Sequence, residues 1–387
     1  MKLLKYIWRN ATRNKIRSLL TVLSVAFSLA LMTILFGYLA IQSATERQAS
    51  KYDRVVVLNK MGFAAPVPIA HVDKIKKLEG VATASPYSWF GGKYKNQPFA
   101  FAQFGVDPAE IFTIYGEYEI PDEQLAAFKD SKNGCVADAR LAEQMDWKLG
   151  EKIPLEGSFT QVNLELELVG IYKAPQNTGS VWFNWYYLDE LIKANIPAMA
   201  GNAGSVPVKC KVASEVANMC DEIDAKFSNS ENATLTRTEA AFAQMFADML
   251  GDVQTYIRYI SLAVVFALSL VTATAMAMSM RERTTEVAVL KAIGFSKQRV
   301  LAMVLGESAL ISVFGGVLGI AAGLGLLHML SGVPSLAQLF PFPVTQLVGP
   351  WVLGLLVVSV GIGLISGLVP AVRAAGLSVV DGLRQVV

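Results

Sequence analysis

RERTTEVAVLKAIGFSKQR, residues 281–299, is a short basic stretch between two long apolar runs, and its reading decides how the chain is arranged. Val287, Leu290 and Ile293 recur at helical spacing, flanked by Glu286 and Lys291, which predicts a short amphipathic helix. Gly294 supplies a C-cap, and Ser296 an N-cap for the helix that follows. A helix of this kind can insert into a groove on a partner, with apolar anchors and charged rims. It can equally serve only to orient the flanking spans by its charge, and composition alone does not separate the two.

Outward from this loop, four segments are long and apolar enough to cross a bilayer, which takes about 20 residues: 18–41, 257–280, 300–330 and 351–369. Lys2, Lys5, Arg9, Arg13, Lys15 and Arg17 precede the first, and Arg281, Arg283, Lys291, Lys297 and Arg299 separate the second from the third. The loop 331–350 has neither lysine nor arginine. The positive-inside rule therefore places both termini and the loop 281–299 in the cytoplasm. Residues 42–256 and 331–350 fall outside, and 370–387 form a cytoplasmic tail. Residues 1–17 carry Leu3, Leu4, Ile7, Trp8 and Ala11 on one face and basic residues on the other, which predicts an amphipathic helix along the cytoplasmic surface. The run 18–41 is too long for the core of a cleaved signal peptide, at ~7–15 residues, and reads as a retained span.

Composition agrees with a mixed architecture. The 387 residues are 53% hydrophobic and 17% charged, too apolar for an ordinary soluble protein and too polar for one confined to the bilayer. A net charge of +2 provides no global field for nucleic acid, and no nucleic-acid partner is expected. Cys135, Cys210 and Cys220 fit no metal spacing; Cys210 and Cys220 could pair in an oxidising compartment.

Residues 42–256 suffice for a large domain with mixed signals. Residues 54–58, 99–106, 164–171 and 206–212 read as strands, and 72–78, 138–145 and 214–227 as helices. The fold class is therefore a membrane protein of four transmembrane α-helices, with a large α+β extracytoplasmic domain between the first and second. Thr236 and Glu239 have capping-box spacing for a stalk helix running towards the second span, and residues 41–51 could continue the first span outward. The aromatic runs at 87–94 and 182–187 fit core packing better than a docking surface.

Chemistry-bearing motifs are scarce. Gly91-Gly92-Lys93-Tyr94 lacks the upstream glycine and the hydroxyl residue of a phosphate-binding loop, and H-E-x-x-H and G-x-S-x-G do not occur. His71 and His328 fall in different compartments. No catalytic, cofactor or metal residues are expected. Glu307, an acid inside the third apolar run, is a candidate for a relay or an ion pair, and local pairing near the interface suits its position. Gly315, Gly319 and Gly323 are spaced for close helix packing, within a protomer or between two. No row of polar residues lines the spans, which gives a hydrophilic pore little support.

Arg283-x-x-Glu286-Val-Ala-Val-Leu-Lys-Ala-Ile-Gly294, with Glu307 in the next helix, resembles the signature of FtsX/MacB-type (type VII) ABC transporter permeases. Val369-Pro370-Ala371-x-Arg373-Ala374-Ala375 and then Asp381-Gly-Leu-Arg384 resemble that family's closing motif, with Gly376 and Gly382 as departures. Phe104-Gly-Val-Asp-Pro108, Leu149-Gly150-Glu151-Lys152 and Leu168-Val-Gly-Ile171 are similar to patterns of its MacB-like periplasmic domain. The resemblance implies an inner-membrane permease subunit without a fused ATPase domain, working as a homodimer or pseudo-symmetric heterodimer. ATP would be bound by a separate cytoplasmic ATPase subunit, coupled through Glu286, Val287, Leu290, Lys291, Ile293 and Gly294. It further implies mechanotransmission, in which ATP-driven closure moves the outer domain to export or extract a periplasmic or membrane substrate. A periplasmic adaptor (membrane fusion protein) and an outer-membrane duct are partners of many members. The same resemblance admits a lipoprotein-extracting permease, or a signalling scaffold that regulates a cell-wall hydrolase without transport.

Overall fold

The computed structural model describes residues 15–95, 97–98, 100–158, 162–249, 253–331 and 348–380. Two compact units emerge, one formed by residues 41–251 with 330–343, the other by 1–40, 252–329 and 344–387. Helix α1 (Lys15–Ala49) contains the first span and continues past residue 41 as a single element. The expected amphipathic helix at 1–17 lies outside the described residues except for 15–17, which open α1.

The outer unit holds two larger sheets. Their strands are β1 (Arg54–Asn59), β2 (Val81–Ala84), β3 (Tyr87–Trp89), β4 (Ala102–Val106), β5 (Gly134–Asp138), β6 (Lys152–Leu155), β7 (Leu164–Tyr172), β8 (Ser180–Asn184), β9 (Val206–Cys210) and β10 (Thr234–Thr238). The first is antiparallel, in the order β10-β1-β9-β2. Every residue of β1, RVVVLN, is buried, as suits a central strand covered on both faces. Helices α2 (Ile69–Ile75) and α6 (Val216–Phe227) supply the core on one side, where Val55, Val57, Val208, Ile223 and Phe227 meet. Cys210 and Cys220 are both free thiols against this core.

The second sheet is mixed, in the order β3-β4-β8-β5-β7-β6. Strand β7 alternates as a half-buried strand should, with Leu164, Leu166 and Leu168 inward and Glu165 and Glu167 outward. Helices α3 (Asp122–Asp130), α4 (Ala139–Gln144) and α5 (Trp185–Asn195) pack about it. Asp138 caps α4, accepting from the Arg140 amide, and its other oxygen accepts from the amide and hydroxyl of Thr178. The aromatic runs are mostly core: Phe90, Tyr94, Trp182, Phe183 and Trp185 are buried, while Trp89 and Tyr186 remain half-exposed.

One local expectation fails here. Thr236 does not cap a helix; it lies inside β10, opposite Val57, with its amide and hydroxyl bonded to Asp224. Ladder pairing with β1 outweighs the local capping box. Helix α7 (Glu239–Met249) starts three residues later, where Thr238 Oγ1 accepts from the Ala241 amide. Whether α7 runs on into the second span falls on residues 250–252, outside the described residues.

The membrane unit contains α8 (Val253–Glu282), α9 (Thr284–Ala292), α10 (Lys297–Ser331) and α11 (Pro350–Gly376). With α1, three of these are long and apolar enough to cross a membrane: α8, α10 and α11. The span read at 351–369 lies within α11, which continues through Pro370 to Gly376. Ala371 and Ala374 are held in a buried cluster with Val287, Val300 and Val304, and this packing sustains the turns beyond the proline. The loop 332–347 lies outside the described residues.

Helix α10 is gripped on two faces. A Cβ added at Gly315 would lie 2.9 Å from Val22 O, one at Gly319 2.9 Å from Ala26 Cα, and one at Gly323 2.8 Å from Ala30 O. These glycines therefore pack against α1 of the same chain. On the other face Ser359 Oγ of α11 donates to Ser312 O, and a Cβ at Gly363 would lie 2.8 Å from Ser308 O. Small residues let the backbones approach closely where no hydrophobic effect drives helices together.

Candidate functional site

The segment that links α8 to α10 is built from α9 and a tight turn. Gly294 has φ +97°, a left-handed value that favours glycine. Its amide donates to Lys291 O and that of Phe295 to Leu290 O, the paired bonds of a Schellman C-cap. Ser296 Oγ lies 3.4 Å from the Arg299 amide, a weak N-cap for α10.

Three contacts hold α9 in place. Val287 is buried against Val300 and Val304 of α10 and Ala371 and Ala374 of α11. Lys291 Nζ donates to Ala375 O (2.8 Å) and to Leu377 O, satisfying carbonyls at the end of α11 that lack helical partners. Arg283, just before α9, donates to both carboxylate oxygens of Glu307, at 3.1 and 3.0 Å. Glu307 is 7% exposed, so this pair ties the loop to α10 as a buried ion pair. Removing either partner of such a pair leaves a buried charge uncompensated.

The apolar stripe read as Val287, Leu290 and Ile293 is therefore divided. Val287 points into the helices and Leu290 is half-buried, whereas Ile293 is 69% and Val289 47% exposed. The contacts of α9 with α10 and α11 decide this, and periodicity within nine residues does not reveal it. Lys291, read as a rim charge, is turned inward onto the end of α11. Glu286 is half-buried in the first turn, where a carboxylate suits the helix dipole. Gly315, Gly319 and Gly323 lie farther along α10, away from this cluster.

Lys291→Met should loosen the end of α11. Hydrogen bonds to a charged donor contribute about 1.5 kcal/mol or more, less for a partly exposed lysine, so a cost of about 1 kcal/mol is expected. The readout is amide hydrogen exchange over 371–377, faster by severalfold; unchanged exchange there would show that Lys291 does not hold the helix end.

Another residue, not singled out from sequence, organises the outer unit. Arg54 is 4% exposed and donates to Glu117 (2.8 Å), Glu239 (2.7 Å) and Ile114 O (3.2 Å). The rings of Tyr52 and Tyr115 flank its guanidinium at 4.1 and 4.4 Å. Burial opposes its charge, but the bonds to Glu117 and Glu239 prevail and raise its pKa. Burial likewise raises Glu239, against the attraction of Arg54. The signal in the sequence was an arginine opening an otherwise apolar strand.

The comparisons agree with the resemblance. The MacB-like periplasmic core domain matches residues 18–225, more than half of the chain, and the FtsX-like permease C-terminal family matches 258–379. An uncharacterized ABC transporter permease of Methanocaldococcus jannaschii is 23% identical, covering 99% of this chain and 97% of that protein. The uncharacterized ABC transporter permease YvrN of Bacillus subtilis is 32% identical over 41% of this chain and 36% of its own. The macrolide export ATP-binding/permease protein MacB of Bdellovibrio bacteriovorus is 24% identical over 96% of this chain, which spans 60% of that protein's length. The chain thus belongs to the MacB/FtsX-type ABC transporter permeases, multi-pass inner-membrane proteins, with a MacB-like periplasmic core domain between its first and second membrane helices.

Proposed function

We propose that this permease couples ATP hydrolysis by a separate cytoplasmic ATPase subunit to motion of its periplasmic domain, driving export or extraction of a periplasmic or membrane substrate. The observation that carries the reading is α9 itself: Val289 and Ile293 are exposed while Val287 and Lys291 lock the helix onto α10 and α11. A braced helix with an outward apolar edge suits insertion into a groove of a motor subunit, and a force applied there reaches two membrane helices directly. The basic flanks at 281–299 support a cytoplasmic position for this edge and for both termini.

At the other end of the path, Arg54 joins the segment just after α1 to Glu239, which opens α7. The two chain segments by which the outer unit is connected to α1 and α8 are thereby clamped together, as mechanotransmission requires. The MacB relatives are, by name, ATP-binding/permease proteins, and this chain spans 60% of the length of one of them; the separate ATPase subunit belongs to the proposal. A homodimer or pseudo-symmetric heterodimer and a periplasmic adaptor complete the proposal; macrolide export belongs to the names of those relatives, and the cargo here is left at the class stated.

Ile293→Asp tests the coupling helix. The permease and the ATPase subunit it works with are co-expressed and the permease is purified by a tag. An exposed anchor is worth about 2 kcal/mol, so recovery of the ATPase should fall roughly thirtyfold at limiting concentration. Full recovery with the aspartate in place would remove α9 from the motor interface.

A further inference from the structure

A groove of about 350 Å³ opens between α8, α9 and α11. Its apolar walls include Leu270, Ala273, Ala277, Val287, Val369 and Ala374. Two guanidinium groups line it as well, Arg281 from the last turn of α8 and Arg373 from the last turns of α11. Both arginines are exposed, and among the described residues neither is paired with a carboxylate. No acidic side chain is among its lining residues. The site is thus amphipathic: an apolar lining of leucine, valine and alanine that also carries two guanidinium groups.

We propose that this groove holds an anionic phospholipid, its phosphate between Arg281 and Arg373 and one acyl chain along Leu270, Ala273, Ala277 and Val369. Charge complementarity selects the head group, since basic pockets between membrane helices favour anionic lipids. The volume is at the lower end of ~300–1,000 Å³ for small-ligand clefts, which suits part of one lipid. The groove is also continuous with exposed apolar surface, because Leu270, Val369 and Val372 beside it are exposed on membrane helices. Val287 and Thr284 of α9 form part of the wall, so a bound lipid touches the helix that the preceding section assigns to motor coupling. Lipid composition would then bias the position of α9.

The full-length chain in mild detergent is titrated with dioleoyl phosphatidylglycerol or dioleoyl phosphatidylcholine, and retained lipid is counted by native mass spectrometry. The parent should retain phosphatidylglycerol in preference. Arg281→Gln with Arg373→Gln should reduce that retention about fivefold for each arginine and leave phosphatidylcholine unchanged. Ala277→Phe, which fills the apolar channel and keeps both arginines, should reduce retention of both lipids and serves if the double variant fails to fold. A parent without preference, or variants that retain phosphatidylglycerol as the parent does, overturns the proposal. So does a loss of oligomeric mass in the variants with lipid retention unchanged, which would make the groove an interface between copies. No ATPase subunit is present in this assay, so its failure and the failure of the coupling reading are distinguishable.

Discussion

Gly319→Leu is expected to abolish the folded membrane unit, and even Gly319→Ala to lower its thermal midpoint substantially. The neighbour of Gly319 is the main chain of α1: an added Cβ would lie 2.9 Å from Ala26 Cα and 3.0 Å from Ala26 C, and nearer still to Ala26 O. A flexible side chain could rotate away, but a helix backbone can only retreat as a body. Retreat would open the contacts at Gly315 and Gly323, which grip Val22, Val25, Ala30 and Thr33 on the same seam. Overpacking costs about 1–3 kcal/mol where side chains can adjust, and a backbone clash belongs at or above the upper end. Gly325 provides the control. It lies in the same helix with nothing within 4 Å of its Cβ position, so Gly325→Ala should be neutral or stabilising by up to ~1 kcal/mol from helix propensity. Intrinsic-fluorescence melting of the detergent-solubilised protein reads both, and equal midpoints for Gly319→Ala and Gly325→Ala would sink the argument.

What the sequence disclosed follows from the length scale of each signal. Spans are legible because about 20 apolar residues leave no other interpretation, and α1, α8, α10 and α11 each contain the stretch read for them. Glycines at four-residue spacing on α10 announced a close helix contact, but only the structure shows that α1 is the neighbour. Strand β7 was legible because LELELVGIY alternates, whereas β5 (GCVAD) and β8 (SVWFN) are buried on both faces and carry no period. The segment 281–299 was legible as a capped helix, since Gly294 and the apolar positions are local features. Which side of α9 faces outward was not, because Val287 turns inward through contacts with residues as distant as Ala371 and Ala374. The same holds for Arg54, whose partners lie 63 and 185 residues away.

Arg54→Met is expected to be the most damaging single change in the outer unit. Methionine leaves Glu117 and Glu239, the latter in a largely desolvated position, without their shared cation, and Ile114 O without a donor. Breaking a buried ion pair by removing one partner costs about 3–5 kcal/mol, against total stabilities of about 5–15 kcal/mol. Arg54→Lys should recover only part of this, because one ammonium cannot fork to two carboxylates and a carbonyl while lying between two rings. The loss has a pH signature. Burial already raises Glu239 above its ordinary 4.5, and Arg54 is the main opposing influence. Without the arginine the native value rises further, so the folded state of the variant binds a proton that the unfolded chain, titrating near 4.5, does not yet hold. In that window, from the raised native value down to the ordinary one, each step of acidification favours the folded state. The deficit of Arg54→Met relative to the parent should therefore be largest near neutrality and narrow as the pH falls towards about 5. Melting curves of parent and variant at both pH values measure it. A deficit that stays constant would mean that Glu239 is not buried against Arg54, and the clamp between β1 and the start of α7 would have to be abandoned.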